Sequence, residues 1–382
     1  MALFPTPPWF ALPWFVLWVL GALLTRARLR DLPSLPEAGA ADPIPPVTVC
    51  IPARNEEAGL GPALDAWLAQ DLPGLRILVV DDGSTDGTPR VLAAREARDP
   101  VRLRGLRCDQ LPPGWLGKNH ALHLATGQPE ALASPWLVLA DADGVPAPDL
   151  LRRCFAFLRE HPADLLTLLP GLETETLAER VFLPAANLGF LWLLPLRRIP
   201  EPGNPFHCGV GAFMLLRREA YDRAGGHEAA PMAAIDDMGL AERVKAAGGV
   251  NRVALGGKDL RLRMYGGLGD ILRGLRKNLV AWPWAFRLSP LFFLGALAVP
   301  LGPLILAAGG HGWAGLLLWL LGPTLMGEAH QRYTGKAMDP AWMLWPLQGP
   351  ILAAAVAWAL YDRLRGVNHW RGREIPLAGR GG

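Results

Sequence analysis

Nothing in the chain pairs its cysteines. Cys50, Cys108, Cys154 and Cys208 lie far apart, with no Cys-x-x-Cys pair and no histidine at metal-finger spacing. That excludes a disulfide framework or a zinc finger, and the four read as reduced thiols of a cytosol-facing protein. A surplus of either charge is also missing. Lys and Arg number 38 against 35 Asp and Glu, so there is no basic footprint for a nucleic acid polymer. No internal repeat is present. At 382 residues the chain has room for one large domain plus membrane segments, or for two ordinary domains.

Charge is absent locally as well. Met1–Thr25, Leu288–Gly327 and Pro340–Tyr361 contain no Asp, Glu, Lys or Arg. A bilayer core about 30 Å thick takes roughly 20 helical residues. The first run therefore predicts one span, and the second two spans hinged near Gly309-Gly310-His311-Gly312. The third predicts one more. Buried core helices are the alternative, but uncharged runs this long are rare in soluble folds. A cleaved signal peptide lacks support, because the first run has no basic start and no convincing small-residue cleavage site. Arg26, Arg28 and Arg30 follow it and place that end in the cytoplasm by the positive-inside rule. Three further spans would put Arg363, Arg365, Arg371 and Arg373 outside, against the same rule, unless one segment is re-entrant or interfacial.

The expected organisation is an anchor over 1–25, a linker over 26–46, and a catalytic domain over 47–265. An interfacial helix over 266–287, membrane helices over 288–361 and a basic tail over 362–382 follow. Residues 31–46 are rich in Pro, Ala and acidic residues, as linkers are. Beyond them, short apolar runs alternate with helical patterns, the signature of an α/β fold with a mostly parallel sheet. Strands are expected at Val47–Ile51, Ile77–Val80 and Trp136–Ala140. Covering helices are expected at Glu57–Gln70, Thr88–Arg98 and Pro148–Glu160. Ligands in open α/β sheets bind beyond the carboxyl ends of strands, and here each of those ends is polar.

After the second strand comes Asp81-Asp82-Gly83-Ser84-Thr85-Asp86-Gly87-Thr88. It reads as a turn and helix cap, or as a pair of carboxylates binding a base N–H or ribose hydroxyls. After the third comes Asp141-Ala142-Asp143. Alternate residues of an extended segment share a side, so this pair could hold Mg²⁺ or Mn²⁺ bridging a diphosphate. A solvated acidic turn is the plain alternative. Asp236-Asp237 opens a helical stretch, where carboxylates also favour the helix electrostatically. Gly209-Val210-Gly211 is too short for a dinucleotide fingerprint. In Pro112-Pro113-Gly114-Trp115-Leu116-Gly117-Lys118-Asn119, Gly117 lets a ligand approach and Lys118 could meet a phosphate or base. The alternative is a surface loop with Trp115 at the bilayer interface. His120 and His123 read as structural. From Leu268 to Val280, apolar residues at helical spacing with Arg273, Arg276 and Lys277 between them predict an interfacial helix able to meet anionic head groups. Residues 181–196 could also lie on the membrane, or pack in the core.

In this order, Pro52-Ala53-Arg54-Asn55-Glu56-Glu57, Asp81–Thr88, Gly114–Asn119, Asp141–Asp143, Cys208–Gly211, Gly225-Gly226-His227, Asp236-Asp237 and Arg263-Met264-Tyr265 resemble family 2 glycosyltransferases of the GT-A fold, over roughly residues 46–280. The Leu-Pro-Pro-Gly-Trp-x-Gly-Lys segment, Arg-Met-Tyr and Trp370-Arg371-Gly372-Arg373 look like bacterial enzymes that glycosylate carotenoid or hopanoid-type lipids. The resemblance implies a GT-A catalytic domain, Rossmann-like; the uncharged runs and the arginines after the first add about four membrane helices, with the domain at the inner (plasma) membrane and facing the cytoplasm. It implies that Asp82 binds the uracil of a UDP-sugar and that Asp141 and Asp143 hold the metal, Mg²⁺ or Mn²⁺. Asp237 stands where the family supplies its catalytic base. Arg54, Glu56, Asp81, Lys118, Cys208, Gly209 and Asp236 are the further expected substrate contacts. The expected partners are a nucleotide-sugar donor, a membrane lipid acceptor and the bilayer. The Gln-x-x-Arg-Trp motif of processive synthases is missing, which argues against polymer synthesis. A polyprenyl-phosphate glycosyltransferase is the nearest alternative, followed by nucleotidyl transfer and a non-enzymatic scaffold.

Overall fold

A computed structural model describes residues 6–37, 44–184, 195–281, 300–334, 336–366, 369–370 and 373–374. The chain divides into two compact units. One comprises Asp31–Glu173 and Leu194–Arg263, and the other Met1–Arg30, Thr174–Leu193 and Met264–Gly382.

The first unit is built on an eight-stranded sheet: β1 (Val47–Ala53), β2 (Leu75–Asp81), β3 (Leu103–Arg107), β4 (Trp136–Leu139), β5 (Val145–Pro146), β6 (Leu165–Leu172), β7 (Met214–Arg217) and β8 (Asn251–Leu262). Their spatial order is β3-β2-β1-β4-β7-β6-β8-β5. β1, β2 and β4 are buried at almost every residue, as central parallel strands covered on both faces must be. The expected mostly parallel sheet holds for β3-β2-β1-β4. It gives way where β7 inserts antiparallel to both β4 and β6, and where β5 pairs antiparallel with β8. The sheet is therefore mixed. The four-residue β7 is too short for a pattern that reveals its direction.

The covering helices are shorter than expected: Leu60–Leu68, Thr88–Glu96 and Leu150–Glu160. Glu57 is held out of the first because its backbone N–H meets the Asp86 carboxylate at 3.2 Å. Its own carboxylate accepts from Gly87 N at 3.0 Å. Trp67 of this helix is fully buried and stacks on Phe213 at 6.3 Å. The stretch read as a linker is docked in its first part. Leu32 and Leu35 are buried, and Leu255 N donates to Pro33 O at 2.8 Å. Arg153 donates to Leu35 O and Pro36 O and pairs with the buried Asp259.

In the second unit, Trp9–Arg30 and Pro340–Arg365 are long and apolar enough to cross a membrane. These are two, not about four, among the described residues. The run between them does turn at Gly309–Gly310, with a helix over 300–308 before it and Gly312–Thr334 after it. The apolar part of that second helix is only Gly312–Pro323, and residues 282–299 lie outside the described residues. The Trp9–Arg30 helix exposes Val16, Leu17, Leu20 and Leu23, while Trp18 packs edge-on to Trp345 at 4.7 Å.

The amphipathic helix is present at Leu268–Ala281. Of its basic residues, the exposed Arg273 pairs with Asp270 at 2.8 Å, whereas Arg276, expected to meet head groups, pairs with the buried Asp362 and lies over the Trp358 ring. Much of 181–196 and of the basic tail, Arg371 and Gly372 included, lies outside the described residues.

Candidate active site

Strand ends and the loops after them carry the polar residues of the first unit. Asp82 N donates to Ala53 O at 2.8 Å, fastening the end of β2 to that of β1. Asn55 N donates to Ser84 Oγ at 2.9 Å and Glu56 N to Thr88 Oγ1 at 2.7 Å. Asn55 adopts a left-handed backbone (φ 55°), which asparagine tolerates better than most residues, and its side chain accepts from Thr85 N at 2.9 Å. The two loops thus form one rigid rim.

Asp81 and Asp82 are both buried but differently used. The Asp81 carboxylate accepts from Ser84 N and from Arg107, each at 2.9 Å, so it is engaged within the loop. Asp82 lies 3.6 Å from the Arg54 guanidinium. His120 is near enough to feel the Asp82 charge, but burial, followed by His123, pushes its pKa below the ordinary value. His120 Nδ1 meets Cys108 Sγ at 3.3 Å, and Trp115 packs on both His120 and His123. Trp115 is thus committed to the domain and not a free interfacial ring.

The second cluster centres on Lys118, at the start of the helix Gly117–Thr126. Its ammonium lies 2.9 Å from Asp141 and 3.3 Å from Asp236. Burial opposes its charge, but Asp141, Asp236 and Asp237 outweigh burial and hold it well above lysine's usual range. It is a fixed cation at pH 7. Next to it, Asp237 accepts from Gly211 N at 2.7 Å and from Met238 N at 2.8 Å. Burial, then the neighbouring Asp236 charge, raise its pKa to about 6, against the lowering pull of Lys118. A carboxylate poised there can take a proton near neutral pH.

Two glycines make this cluster possible. A Cβ on Gly211 would stand 2.7 Å from Lys118 Nζ and within 3.3 Å of both Asp141 oxygens. A Cβ on Gly209 would stand 2.1 Å from the Asp237 carbonyl oxygen. Asn119 fixes the approach to the helix Asp236–Ala246, its amide donating to Pro231 O and Ala233 O at 3.0 Å each.

Lys118, Gly209, Asp141, Asp236 and Asp237, expected from sequence, are therefore brought together. Asp143, two residues on, lies beside Gly59. β4 ends at Leu139, and Asp141-Ala142-Asp143 is a turn rather than an extended segment, so the same-side expectation is corrected. Asp143 packs against Gly59, with Glu56 close by. Cys208 is fully buried and joins the site through its backbone, its N–H donating to Asn251 at 2.7 Å. Burial, then the Asp237 charge, push that thiol up, which leaves it unreactive. Asn119, Gly211 and His227 lie in the segments that carry the family resemblance but were assigned no individual role, and Tyr221 was not singled out. The one local signal for His227 was the Gly-Gly before it, which marks a chain reversal.

Residues 48–225 match the family described as "Glycosyl transferase family 2". This segment is a family 2 glycosyltransferase domain. Its sequence is similar to the "Beta-monoglucosyldiacylglycerol synthase" of Synechocystis, 29% identical over 223 residues, 56% of this chain and 45% of that protein. It is similar to the "4,4'-diaponeurosporenoate glycosyltransferase" of Staphylococcus aureus, 28% identical over 249 residues, 61% of this chain and 60% of that protein. The chain thus spans about half the length of these curated relatives. The fold resembles the "Mannosyltransferase PcManGT from Pyrobaculum calidifontis in complex with GDP-Man and Mn2+", with a TM-score of 0.56 and 20% identity. That match covers 92% of this chain and 98% of that one. The glycosyltransferase domain therefore has the mixed α/β fold of the GT-A type, as the sequence resemblance implied.

Among the described residues, no three His, Cys, Asp or Glu side chains gather into a metal cage. Asp141 and Asp143 are hard oxygen donors two residues apart on one turn, and their chemistry suits a divalent ion that draws its other ligands from a diphosphate and water. It does not fit an ion held by protein alone.

Proposed function

We propose that this chain is an inverting glycosyltransferase. It moves a single sugar from a nucleotide-sugar, a UDP-sugar in the first instance, to a membrane lipid acceptor. The observation that carries this reading is Asp237: a half-buried carboxylate with its pKa raised to about 6, held by two backbone N–H groups, beside a lysine fixed as a cation. In the displacement, the acceptor oxygen bonds to the anomeric carbon, the bond from that carbon to the diphosphate oxygen breaks, and UDP leaves. Asp237 takes the acceptor hydroxyl proton. The Lys118 ammonium, held by Asp141 and Asp236, has a third N–H to offer and stabilises negative charge on the leaving diphosphate from that place.

Asp141 and Asp143 would hold Mg²⁺ or Mn²⁺, which supplies further charge stabilisation when bound. Asp82, with Arg54 beside it, would recognise the base, and Glu56 lines the rim. The named activities of the Synechocystis and Staphylococcus relatives, both on lipid-type acceptors, support the acceptor class. A chain with two helices of membrane-crossing length is held where such acceptors are concentrated. An isoprenoid-derived lipid of the carotenoid or hopanoid type is the expected acceptor, at the cytoplasmic face of the inner membrane.

Mass spectrometry of membrane lipids from cells with and without the protein tests this directly. A new lipid heavier by one sugar is expected. An unchanged lipid profile, with purified protein that releases no UDP from UDP-sugar and lipid extract, refutes it.

A further inference from the structure

His227 is a buried histidine for which the mechanism above has no use. It follows Gly225 and Gly226, both left-handed (φ 74° and 53°), and this reversal folds the ring back onto Tyr221. Only 2% of it is exposed.

The hydrogens of this network can be placed. Thr126 Oγ1 lies 2.8 Å from Leu122 O and 3.2 Å from His123 O, and carbonyls only accept, so the threonine hydrogen goes there. Tyr221 Oη is 3.0 Å from Thr126 Oγ1 and must therefore donate to it. Its oxygen then accepts twice from His227, from the backbone N–H at 3.1 Å and from Nδ1 at 2.9 Å. Nδ1 accordingly carries the ring hydrogen and Nε2 is a bare lone pair. Burial, the largest influence, lowers the imidazole pKa to about 4 against the raising pull of Asp236, with Lys118, Arg243 and His123 also facing it. The ring is neutral at working pH.

Nε2 is buried and has no hydrogen-bond partner. His227 also lines a cavity about the size of one water molecule, shared with Lys118, Gly211, Asp236 and Asp237. Nδ1 is turned to Tyr221, which is not part of that lining.

We propose that His227 is a positioning residue for the transfer reaction, resting on the function proposed above: Nε2 accepts a hydrogen bond from a water in this cavity. The other hydrogen of that water goes to the Asp236–Asp237 carboxylates and keeps Asp237 ionised and aimed at the acceptor. Tyr221 and Thr126 fix the tautomer that makes this possible.

The test uses the full chain in lipid vesicles with UDP-sugar and acceptor, comparing wild type, His227→Phe, His227→Gln and Tyr221→Phe. His227→Phe removes the acceptor atom and is expected to lower kcat about tenfold to a hundredfold, the loss of one hydrogen bond to a charged group. The KM for UDP-sugar is expected to stay near wild type. The acid limb of the kcat profile should move to higher pH, because the carboxylate loses a donor that favours its charged form. His227→Gln, whose amide oxygen can reach the place of Nε2, should recover most of both effects. Tyr221→Phe should move the limb in the same direction by less.

A folded His227→Phe protein with an unmoved acid limb overturns the proposal, as does a Gln variant no better than Phe. Should His227→Phe fail to fold, an unmoved limb in Tyr221→Phe overturns it. A wild type that transfers no sugar sinks the functional reading and this one with it. An active wild type with unmoved variants sinks the role of His227 alone.

Discussion

A single methyl group at Gly211 should disable the enzyme without unfolding it. In Gly211→Ala the new Cβ stands 2.7 Å from Lys118 Nζ. Ordinary contact needs about 3.5 Å, so the ammonium must move by roughly 0.8 Å. The atom displaced is the tip of a flexible side chain, and Gly211 keeps the N–H that supports Asp237. The stability cost should therefore stay below about 1 kcal/mol, a few degrees in Tm. The catalytic cost is larger, because Lys118 is held at once by Asp141 and Asp236 and cannot shift without loosening both. Misplacement on this scale costs roughly thirtyfold to a hundredfold in turnover. Gly209→Ala is the contrasting variant. There the Cβ meets the Asp237 carbonyl at 2.1 Å, and backbone cannot swing aside. That variant should lose about 1–3 kcal/mol, or fail to accumulate. UDP release with a lipid acceptor and thermal melting of the same samples separate the two outcomes. A folded Gly211→Ala protein turning over within about threefold of wild type would refute the assigned role of the Lys118 cluster.

Asp237→Asn should lower kcat by about 10²–10⁴-fold on a hydroxyl acceptor, and far less on a carboxylate or phosphate acceptor that is already ionised. In wild type, activity should fall as pH drops through about 6, where Asp237 becomes protonated. The same raised pKa means the folded state binds the extra proton between the unfolded value near 3.8 and about 6. This group's contribution to stability therefore declines as pH rises through that window, and the Asn variant should lack the decline in melts against pH. Asp143→Ala should weaken metal-dependent binding of UDP in calorimetry, and metal-independent binding retained at full strength in wild type would count against the metal assignment. Arg153→Leu leaves Asp259 buried and unpaired and frees the carbonyls of Leu35 and Pro36, at an expected cost of about 3–5 kcal/mol in urea unfolding. A double Val16→Arg, Leu20→Arg change on the exposed face of Trp9–Arg30 should lose the protein from carbonate-washed membranes, at about 2.5–3.5 kcal/mol per arginine.

Much was legible in sequence because it is local. Apolar runs marked β1, β2 and β4, and polar residues directly after them marked where the strands end. Uncharged runs marked Trp9–Arg30 and Pro340–Arg365, and Gly309–Gly310 marked a turn. Covalent neighbours share an element, so periodicity and breaks in it suffice to read such features.

Partnership is not local, and only the tertiary structure assigned it. Asp141 and Asp143 look equivalent in sequence, yet a turn sends one to Lys118 and the other to Gly59. Asp81 and Asp82 are adjacent, yet Arg107 engages the first and Arg54 stands beside the second. Arg276 has the sequence context of a head-group ligand but is taken by Asp362 and Trp358. A side chain's charge state and direction follow from the groups that surround it in space, and those lie on strands and helices far apart along the chain.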